Sequence, residues 1–438
     1  MSKEVYIVDA KRTPQVKAGL QFKEISAPHL GAYLVRNLLD GTSIGNDEID
    51  EVIFGNAGGP VNYPNVSRVI TLYAGLDKKT SAYTVHRNCA SGMEAISGGV
   101  DKIRSGRSNI VIAGGVENMS QAPLIYNKDM TKLFTSLMKA KTLAEKIRVV
   151  STFRFPYLSP VIGLIEGLTD PFCGLNMGET AELVAREFGI TREMQDEYAN
   201  DSHYKAIEAL KRGHFENEIV PIAIGKKADK LLYHDLGPRE GSTLKGLSQL
   251  RPYFERKSGT VTVGNSCPIT DGGSALLLCS KEALEKYNLT PMAKILDYHF
   301  SGLDPKRMGM GPLVSSCGVL KRTGLSMKDM DRVEINEAFA AQVLACQKAF
   351  SDKNLAKKFD VDPTVELCEI PKDKLNVNGG AIALGHPVGS TGSRLIVTLA
   401  HELKRSSKKY GLASLCIGGG LGGAMIIENI SDHKAEKL

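Results

Sequence analysis

The chain has 438 residues, of which 42% are hydrophobic and 24% are charged, and its formal net charge is +6. This length exceeds what a single hydrophobic core ordinarily serves, so two or more domains are expected. The N-terminus lacks the succession of basic, apolar and small residues that marks a secretory signal, and no apolar run is long enough to span a membrane. We therefore expect a cytoplasmic protein, and the modest charge gives no argument for nucleic acid as a partner.

Eight cysteines are spread along the chain without a close pairing pattern. Cysteines used in this way indicate reduced thiols, which are typical of cytosolic proteins. Neither a Cys-x-x-Cys pair nor a His-Glu-x-x-His sequence occurs, so the sequence predicts no metal site.

After an apolar strand near the N-terminus, two distant parts of the chain follow the same order of elements. Each part begins with an aspartate and alternating apolar residues, continues with a helix that starts at a reactive residue, and ends in a buried strand followed by glycines. The matching segments are 49–56 and 330–337 for the first strand, 90–103 and 389–403 for the helix, and 110–115 and 412–419 for the last strand. Apolar runs that alternate with helices indicate mixed α/β halves with largely buried strands. A duplicated α/β unit is the simplest interpretation, and chance similarity between two such units is the alternative.

Residues 121–250 differ from both halves, because they show little strand-like alternation and much helix-forming polar sequence. Helices are predicted over 177–188 and 191–212, the second with Thr191 as its N-cap. We interpret this region as an inserted lid domain. After it, residues 259–265 are expected to form a strand that leads into a loop. The predicted domains are 1–122 plus 251–279 for the first half, 123–250 for the lid, and 280–431 for the second half.

Within the lid, residues 127–154 carry seven lysines and arginines against two acidic residues, interleaved with apolar side chains. A further apolar and aromatic stretch, residues 155–162, follows directly. A solvated basic helix is the plainer interpretation. The alternative is a surface for a phosphate-bearing ligand, a partner chain or a membrane.

Two reactive residues stand at predicted helix starts. Cys89 precedes the small residues 90–92, and unpaired backbone N–H groups and the helix dipole favour the thiolate at such a position. His386 lies between Gly385 and Pro387, where imidazolium is disfavoured and a neutral ring can accept a proton. Taken alone, each residue would also fit a structural role in a core.

Cys416 ends an apolar strand and is followed by the glycine-rich residues 418–423. Because another apolar strand comes next, and not a helix, these glycines do not form a dinucleotide-binding site. A backbone N–H of this run, with that of Cys89, is suited to stabilise an oxyanion, and each such donor lowers a barrier by roughly 3 kcal/mol. Asn336 ends a strand of the second half, where its amide could bind a water or an oxygen near His386, although a loop asparagine satisfied by the backbone is the alternative. A nucleophile, a base and a second thiol that carries a proton make a thiol-based acyl-transfer site.

Six segments of the chain together resemble the thiolase family. They read Asn-Cys-Ala-Ser-Gly, Gly-Gly-Val-Glu-Asn-Met-Ser, Asn-Met-Gly-Glu-Thr-Ala-Glu, Asn-Glu-Ala-Phe-Ala, Asn-Gly-Gly-Ala-Ile-Ala-Leu-Gly-His-Pro and Cys-Ile-Gly-Gly-Gly. The resemblance spans residues 5–428 and implies an α/β, thiolase-like fold with two similar five-layered α/β halves and an inserted helical lid domain. It also implies a homodimer or homotetramer that acts on CoA thioesters and needs no cofactor, because coenzyme A is itself a substrate.

By position in these motifs, the resemblance implies that Cys89 carries the acyl group and that His386 activates it. Cys416 would protonate the leaving acetyl-CoA carbanion in cleavage, or remove that proton in condensation. Asn336 would hold the water of one oxyanion site, and the N–H groups of Cys89 and Gly418 would form the second. Substrate contacts are expected from three further residues: Met177 of the lid, Cys267, and Met308 in the loop 308–312.

The preferred acyl length stays open, because the chain departs from its relatives in two directions. Asn176 stands where short-chain acetoacetyl-CoA thiolases usually have histidine. Residues 265–272 and 127–160 are more similar to the thiolase subunit of fatty-acid oxidation complexes, but those subunits usually have His-Glu where this chain has Asn336-Glu337. Contact with a hydratase/dehydrogenase subunit or a membrane through 127–160 is therefore an open alternative.

Two other functions fit the sequence less well. A decarboxylating ketoacyl synthase pairs its cysteine with two histidines, or with histidine and asparagine, and Cys416 argues against it. A non-catalytic lipid-carrier relative of the thiolases would have no need of all four polar site residues. The sequence therefore predicts an acyltransferase that cleaves 3-ketoacyl-CoA or condenses two acetyl-CoA molecules.

Overall fold

A mixed β-sheet of ten strands runs through the molecule. The structure, a computed structural model, describes residues 3–225 and 227–431. The strands are β1 (Tyr6–Arg12), β2 (Val16–Lys17), β3 (Glu51–Gly55), β4 (Ser81–Val85), β5 (Ile110–Glu117), β6 (Leu124–Ile125), β7 (Val161–Ile162), β8 (Ile222–Ile224), β9 (Lys230–Leu232), β10 (Thr270–Cys279), β11 (Ala293–Gly302), β12 (Arg332–Ile335), β13 (Tyr410–Ile417) and β14 (Leu421–Asn429).

Helices cover the sheet and form most of the lid region. They are α1 (Ala27–Leu39), α2 (Val66–Ala74), α3 (Ser91–Arg104), α4 (Lys128–Lys139), α5 (Leu143–Val150), α6 (Gly163–Gly167), α7 (Met177–Phe188), α8 (Arg192–Lys211), α9 (Leu244–Ser248), α10 (Lys281–Tyr287), α11 (Gly311–Thr323), α12 (Ala340–Ser351), α13 (Lys353–Ala356), α14 (Ala381–Leu384) and α15 (Val388–Arg405). Short 3-10 helices lie at Met119–Gln121, Phe155–Leu158, Pro305–Met310, Met327–Asp329 and Lys357–Phe359. Within the described residues, no helix combines the length and the apolar character that crossing a bilayer requires.

The sheet is built from two related halves that meet at its centre. Its strand order is β12-β13-β14-β11-β1-β10-β5-β3-β4, with β2 paired to β10. The halves join where Tyr6 and Ile7 of β1 pair antiparallel with β11. In each half a parallel pair, β3 with β5 and β12 with β13, lies toward the outer edge.

Strand alternation divides the side chains among three helical layers, because successive residues of a strand point to opposite faces. Ile112 of β5 packs in a cluster with α1, whereas Val111 packs in a cluster with α3 and α15. Cys416 of β13 belongs to the cluster of α11 and α12, whereas Leu415 belongs to the inner cluster of α3 and α15. Five layers follow: helices, one half of the sheet, the shared helices α3 and α15, the other half of the sheet, and helices.

The faint repeat in the sequence corresponds to a structural repeat. Asp50 Oδ2 accepts the two backbone N–H groups at the start of β5, at 2.7 and 2.9 Å. Asp331 Oδ2 accepts the two at the start of β13 in the same way, at 2.9 and 3.1 Å. The aspartate of each repeat thus anchors the parallel neighbour of its own strand, which confirms the predicted duplication of an α/β unit.

The lid region contains α4 to α9, and α7 and α8 lie where the sequence predicts them. Thr191 caps α8 by accepting the N–H of Met194 at 3.3 Å. Part of this region is attached firmly to the first half: the fully buried Arg12 of β1 donates to Glu218 at 2.5 Å and to both carboxylate oxygens of Asp235 at 2.7 and 2.8 Å. The domain boundaries drawn from the sequence remain a prediction.

The strand predicted over 259–265 is wrong, because side chains take the backbone donors that a strand ladder would use. The N–H groups of Thr260 and Val261 donate to the Glu182 carboxylate of α7 at 2.9 Å. The N–H of Thr262 donates to Asn265 Oδ1 at 2.7 Å. The segment therefore forms turns held against α7.

Candidate active site

Cys89 lies in the turn between β4 and α3, one residue before the helix N-cap Ala90. Ser91 holds the turn, because its hydroxyl donates to the carbonyl oxygen of Asn88 at 2.7 Å and accepts the N–H of Arg87 at 2.9 Å. Asn88 has a φ of 45°, a left-handed conformation that asparagine tolerates better than most residues. Cys89 is only partly buried, so part of this residue is open to solvent.

Two opposing effects act on the ionisation of Cys89. Burial raises the pKa of its thiol to about 11, and Glu117 adds to the increase, whereas the backbone N–H groups of Gly418 and of Cys89 itself lower the pKa. Desolvation therefore outweighs the helix-start effect, and the expectation of a resting thiolate is wrong. A thiol with this pKa is neutral at neutral pH, and a base must remove its proton before it can act as a nucleophile.

His386 lies between α14 and α15, two residues before the first residue of α15. It is 6% exposed. Burial is the main cause that lowers the pKa of its imidazole to about 3, and the positive charge of Arg394 lowers it further. The ring is therefore neutral at neutral pH, as the sequence predicts.

The hydrogen bonds of Thr391 determine which nitrogen of His386 carries the proton. The Thr391 hydroxyl donates to the carbonyl oxygen of Pro387 at 2.9 Å. Its oxygen is then left to accept a hydrogen bond, and His386 Nδ1 lies 2.5 Å from it. We therefore assign the ring proton to Nδ1. Nε2 carries the free lone pair and has no hydrogen-bond partner among the described residues.

Close packing of α3 against α15 brings the two reactive helix starts toward each other. A Cβ atom on Gly92 would lie 2.5 Å from Ser393 Oγ, so only glycine fits there. Gly92 belongs to the first turn of α3, and Ser393 belongs to the second turn of α15. Cys89 and His386 each stand two residues before the first residue of one of these helices.

Cys416 is buried near the end of β13, and residues 418–420 form the turn that leads into the antiparallel strand β14. This hairpin confirms that the glycine run is not a dinucleotide-binding turn. Burial raises the pKa of Cys416 well above its usual range, and the neighbouring thiol of Cys89 adds to the increase. The Asn88 side-chain amide donates to the carbonyl oxygen of Gly418 at 2.8 Å and ties this hairpin to the Cys89 turn.

Asn336 follows β12 and is fully buried. Its backbone N–H donates to the carbonyl oxygen of Ser414 at 2.9 Å, two residues before Cys416. Neither atom of its side-chain amide has a hydrogen-bond partner within the described residues. Since buried polar atoms are normally paired, this amide has both a donor and an acceptor available for a water or a substrate oxygen.

Of the three residues predicted to contact substrate, Met177 and Cys267 lie beside this group. A Cβ on Gly418 would lie 3.2 Å from the sulfur of Met177, so Met177 borders the glycine turn. Cys267 donates its backbone N–H to Ala338 at 3.1 Å, and the neighbouring Cys89 thiol contributes to raising its pKa. Met308 is buried in the same cluster as Cys416. The expected loop at 308–312 is instead the end of a 3-10 helix and the start of α11.

Comparisons with known proteins agree with these features over nearly the whole chain. The thiolase N-terminal domain matches residues 5–282, and the thiolase C-terminal domain matches residues 289–429. The chain belongs to the thiolase family. The predicted fold class and acyltransferase activity are thereby confirmed.

Individual thiolases match this member of the family at similar levels. It is 38% identical to the acetyl-CoA acetyltransferase of Syntrophomonas wolfei, over 98% of this chain and 100% of that protein. It is also 38% identical to the mitochondrial 3-ketoacyl-CoA thiolase of Bos taurus, over 97% of this chain and 98% of that protein. Among solved structures, the Bacillus anthracis acetyl-CoA acetyltransferase matches with a TM-score of 0.86 and 35% identity, over 98% of this chain and 99% of that one. The human mitochondrial 3-ketoacyl-CoA thiolase in complex with CoA matches with a TM-score of 0.83 and 36% identity, over 98% of both chains.

Sequence reasoning missed three residues that support the site of this thiolase: Asn88, Thr391 and Glu117. Glu117 is buried at the end of β5, where its carboxylate accepts two backbone N–H groups from residues 57–58 at 2.9 Å and that of Gly389 at 2.8 Å. It thereby joins the first half to the start of α15. A carboxylate at the end of an otherwise apolar buried strand is the signal that identifies Glu117, whereas the sequence carries no comparable signal for Thr391.

Proposed function

We propose that this enzyme transfers acyl groups between coenzyme A and acetyl-CoA through a thioester on Cys89. The observation that carries the proposal is the close packing of two helix starts, one with the partly buried thiol of Cys89 and the other with the buried imidazole of His386, whose Nε2 is free to accept a proton. Cys416, with its strongly raised pKa, is suited to hold a proton until a carbanion takes it.

In the first step of cleavage, His386 Nε2 takes the proton of Cys89 and the sulfur attacks the 3-keto carbon of the substrate. The C2–C3 bond then breaks, and its electron pair moves onto the acetyl-CoA fragment as an enolate. Cys416 gives its proton to C2, acetyl-CoA leaves, and the imidazolium returns a proton to Cys416. The acyl group remains on Cys89 as a thioester.

In the second step, His386 takes the proton of the incoming CoA thiol, whose sulfur attacks the thioester. The Cys89 sulfur leaves and regains the proton from the imidazolium, which restores the resting enzyme. The N–H groups of Cys89 and Gly418 are proposed to bind the oxyanion on the acyl carbon, at roughly 3 kcal/mol of barrier per donor. The free amide of Asn336 is proposed to hold a water against the enolate oxygen of acetyl-CoA.

Cys89→Ala tests the central assignment. Incubation of the wild-type enzyme with acetyl-CoA should release free CoA and add an acetyl group to the peptide containing residue 89, as measured by mass spectrometry. Cys89→Ala should do neither and should lose thiolysis. Cys368→Ser, at a partly buried thiol with no proposed role, should behave as the wild type. An acetylated Cys89→Ala protein that turns over would contradict the assignment.

The preferred acyl length has to be measured, because the chain is 38% identical to both an acetyl-CoA acetyltransferase and a 3-ketoacyl-CoA thiolase. These identities favour neither substrate class. Thiolysis of acetoacetyl-CoA should be compared with that of 3-ketohexanoyl-, 3-ketodecanoyl- and 3-ketohexadecanoyl-CoA. A preference for acetoacetyl-CoA would indicate an acetyl-CoA acetyltransferase, and rising kcat/KM with length would indicate a β-oxidation thiolase. Absence of cleavage with every substrate would contradict the proposed function.

Cytoplasmic location and a homodimer or homotetramer are part of the proposal, as is the absence of any cofactor other than the substrate CoA. Light scattering of the purified chain measures the assembly directly. Co-purification with a hydratase/dehydrogenase chain would indicate a place in a fatty-acid oxidation complex.

A further inference from the structure

Glu337 places a carboxylate between the lid region and the second half, with only 1% of the residue exposed. No ion pair among the described residues involves this carboxylate, and four hydrogen bonds reach it instead. Oε1 accepts the Tyr198 hydroxyl at 3.0 Å and the side-chain amide of Asn376 at 3.1 Å. Oε2 accepts the Ser202 hydroxyl at 2.7 Å and the backbone N–H of Ile382 at 3.1 Å. A buried carboxylate is costly unless such donors satisfy it.

Two of the four donors cannot reverse their direction. The backbone N–H of Ile382 can only donate. The amide of Asn376 is fixed as well, because its Oδ1 accepts the N–H of Ile335 at 2.9 Å and its Nδ2 therefore faces Glu337. These two donors meet different oxygens, so both oxygens of residue 337 must accept. A glutamine would turn its own N–H groups toward one of them. The position therefore requires a carboxylate and not only a polar side chain of this length.

The elements around Glu337 are packed closely enough to fix it in place. Tyr198 and Ser202 lie on one face of helix α8, because four residues separate them. On the other side, a Cβ atom on Gly380 would lie 2.6 Å from each carboxylate oxygen, so only glycine fits there. The helix of the lid region and this glycine together leave the carboxylate one position.

The backbone on both sides of Asn336 is held by hydrogen bonds, whereas the Asn336 side chain is not. Ile335 exchanges two hydrogen bonds of 2.9 Å with the side chain of Asn376. The N–H of Asn336 donates to Ser414 at 2.9 Å, and Glu337 follows with its four donors. The amide of Asn336 has no partner among the described residues. Its direction therefore depends on how firmly the neighbouring residues are held.

We propose that Glu337 is a positioning residue that directs the free amide of Asn336 toward the reacting group. This role rests on the proposed function, in which Asn336 holds a water against the enolate oxygen of acetyl-CoA. Four donors already occupy the carboxylate of Glu337, which matches its number of acceptor sites. Glu337 therefore acts through Asn336 and neither gives nor takes a proton in the reaction.

Glu337→Gln should separate the reaction that forms an enolate from the one that does not. Thiolysis of acetoacetyl-CoA should lose about tenfold or more in kcat, with KM within about threefold of the wild type. Acetylation of Cys89 by acetyl-CoA in a single turnover forms no enolate, so its rate should stay within about threefold of the wild type. A general loss of packing would slow both reactions, and so would an effect on His386, which takes a proton in each.

The double variant N336A/E337Q tests whether the effect passes through Asn336. It should be as active as Asn336→Ala alone, because the amide that Glu337 positions is already gone. The proposal is overturned if the two losses in kcat multiply, or if Glu337→Gln slows acetylation and thiolysis equally, and in both cases the proposed function stands. Wild-type thiolysis by Asn336→Ala would instead overturn the role of Asn336, and the role of Glu337 with it.

Glu182→Gln is the matched control. Glu182 of the lid region is also 1% exposed, and it accepts the backbone N–H groups of residues 260 and 261 at 2.9 Å. The substitution should therefore lower the melting temperature as Glu337→Gln does. Any loss of kcat that it causes should multiply with that of Asn336→Ala. A loss that disappears in the Asn336→Ala background would show that the double-variant test does not single out Glu337, and would overturn the proposal.

Tyr198→Phe tests the same role with a milder change, which matters if Glu337→Gln does not fold. It removes one of the four donors and leaves the carboxylate in place. It should lower kcat about two- to threefold, and this loss should disappear in the Asn336→Ala background. Persistence of the full loss in that background would overturn the proposal.

Discussion

The side-chain amide of Asn88 donates a hydrogen bond of 2.8 Å to the carbonyl oxygen of Gly418. This bond crosses between the two halves of the molecule. Asn88 directly precedes Cys89, and the N–H of Gly418 is one of the groups that lower the pKa of the Cys89 thiol. The alignment of the proposed oxyanion site therefore depends on a contact that neither half makes alone.

Asn88→Gly should lower kcat for thiolysis about tenfold while leaving the melting temperature within a few degrees of the wild type. Glycine adopts the positive φ of this position without strain, so the turn persists, but the hydrogen bond that positions Gly418 is lost. A misplaced donor costs catalysis more than stability, because a single hydrogen bond contributes only about 1 kcal/mol to folding. Steady-state thiolysis and thermal unfolding measure the two effects.

Asn88→Ala is the companion variant. Alanine loses the same hydrogen bond and is also strained at a φ of 45°, so it should unfold at a lower temperature than Asn88→Gly while showing a similar kcat. A wild-type kcat in Asn88→Gly would mean that the bond to Gly418 does not align the site.

Thr391→Val should lower kcat roughly ten- to a hundredfold with little change in KM. Valine removes the oxygen that accepts the Nδ1 proton of His386, so the tautomer with a free Nε2 is no longer favoured and the ring is less well oriented. Thr391→Ser keeps an oxygen at this position and should restore most of the activity. Equal activity of the valine and serine variants would show that Thr391 acts only through packing.

Cys416→Ser should separate the two chemical steps of the enzyme. Serine gives up a proton far less readily than cysteine, so cleavage of acetoacetyl-CoA should fall at least a hundredfold. Acetylation of Cys89 by acetyl-CoA, followed by release of CoA in a single turnover, needs no proton on carbon and should stay within about tenfold of the wild type. An equal loss in both assays would remove the proposed acid/base role of Cys416.

Much of the fold was predictable because local signals and tertiary packing agree. The aspartate at the start of each repeat, Asp50 and Asp331, binds the neighbouring strand in both halves, so the same residue recurs with the same spacing. The reactive helix starts were also predictable, since small residues and proline leave few other conformations near Cys89 and His386. The strand prediction for residues 259–265 failed because backbone N–H groups of this segment donate to Glu182. Glu182 lies far away in the sequence, so local alternation does not reveal the contact.

The candidate site was predictable in composition and less so in its electrostatics. Motifs predict Cys89, His386 and Cys416 as site residues, but they give no measure of desolvation, which raises the pKa of the Cys89 thiol against the helix-start effect. The tautomer of His386 depends on Thr391, whose role follows only from where its own hydroxyl proton goes. A hydrogen bond to a neighbour of the reactive residue can be recognised only in the three-dimensional structure.

Acid should destabilise this protein through its buried histidines. The pKa of His386 is lowered to about 3 and that of His203 to about 4, in both cases mainly by burial. The unfolded chain binds protons at these positions near the ordinary value of about 6.5, whereas the folded chain does not. Stability from both residues is therefore fully present above about pH 6.5 and decreases as the pH falls toward 4, by up to about 1.4 kcal/mol per pH unit for each histidine.

His386→Asn isolates one of these contributions, because asparagine does not titrate. Between about pH 7 and pH 5 its free energy of unfolding should fall less steeply than that of the wild type, by up to about 1.4 kcal/mol per pH unit. His234→Asn replaces an exposed histidine and should leave the slope unchanged. Urea unfolding at a series of pH values measures all three proteins. Because His386 must be buried and neutral to keep Nε2 free for the thiol of Cys89, parallel slopes for the wild type and His386→Asn would contradict both the acid sensitivity and the neutral resting state of the base.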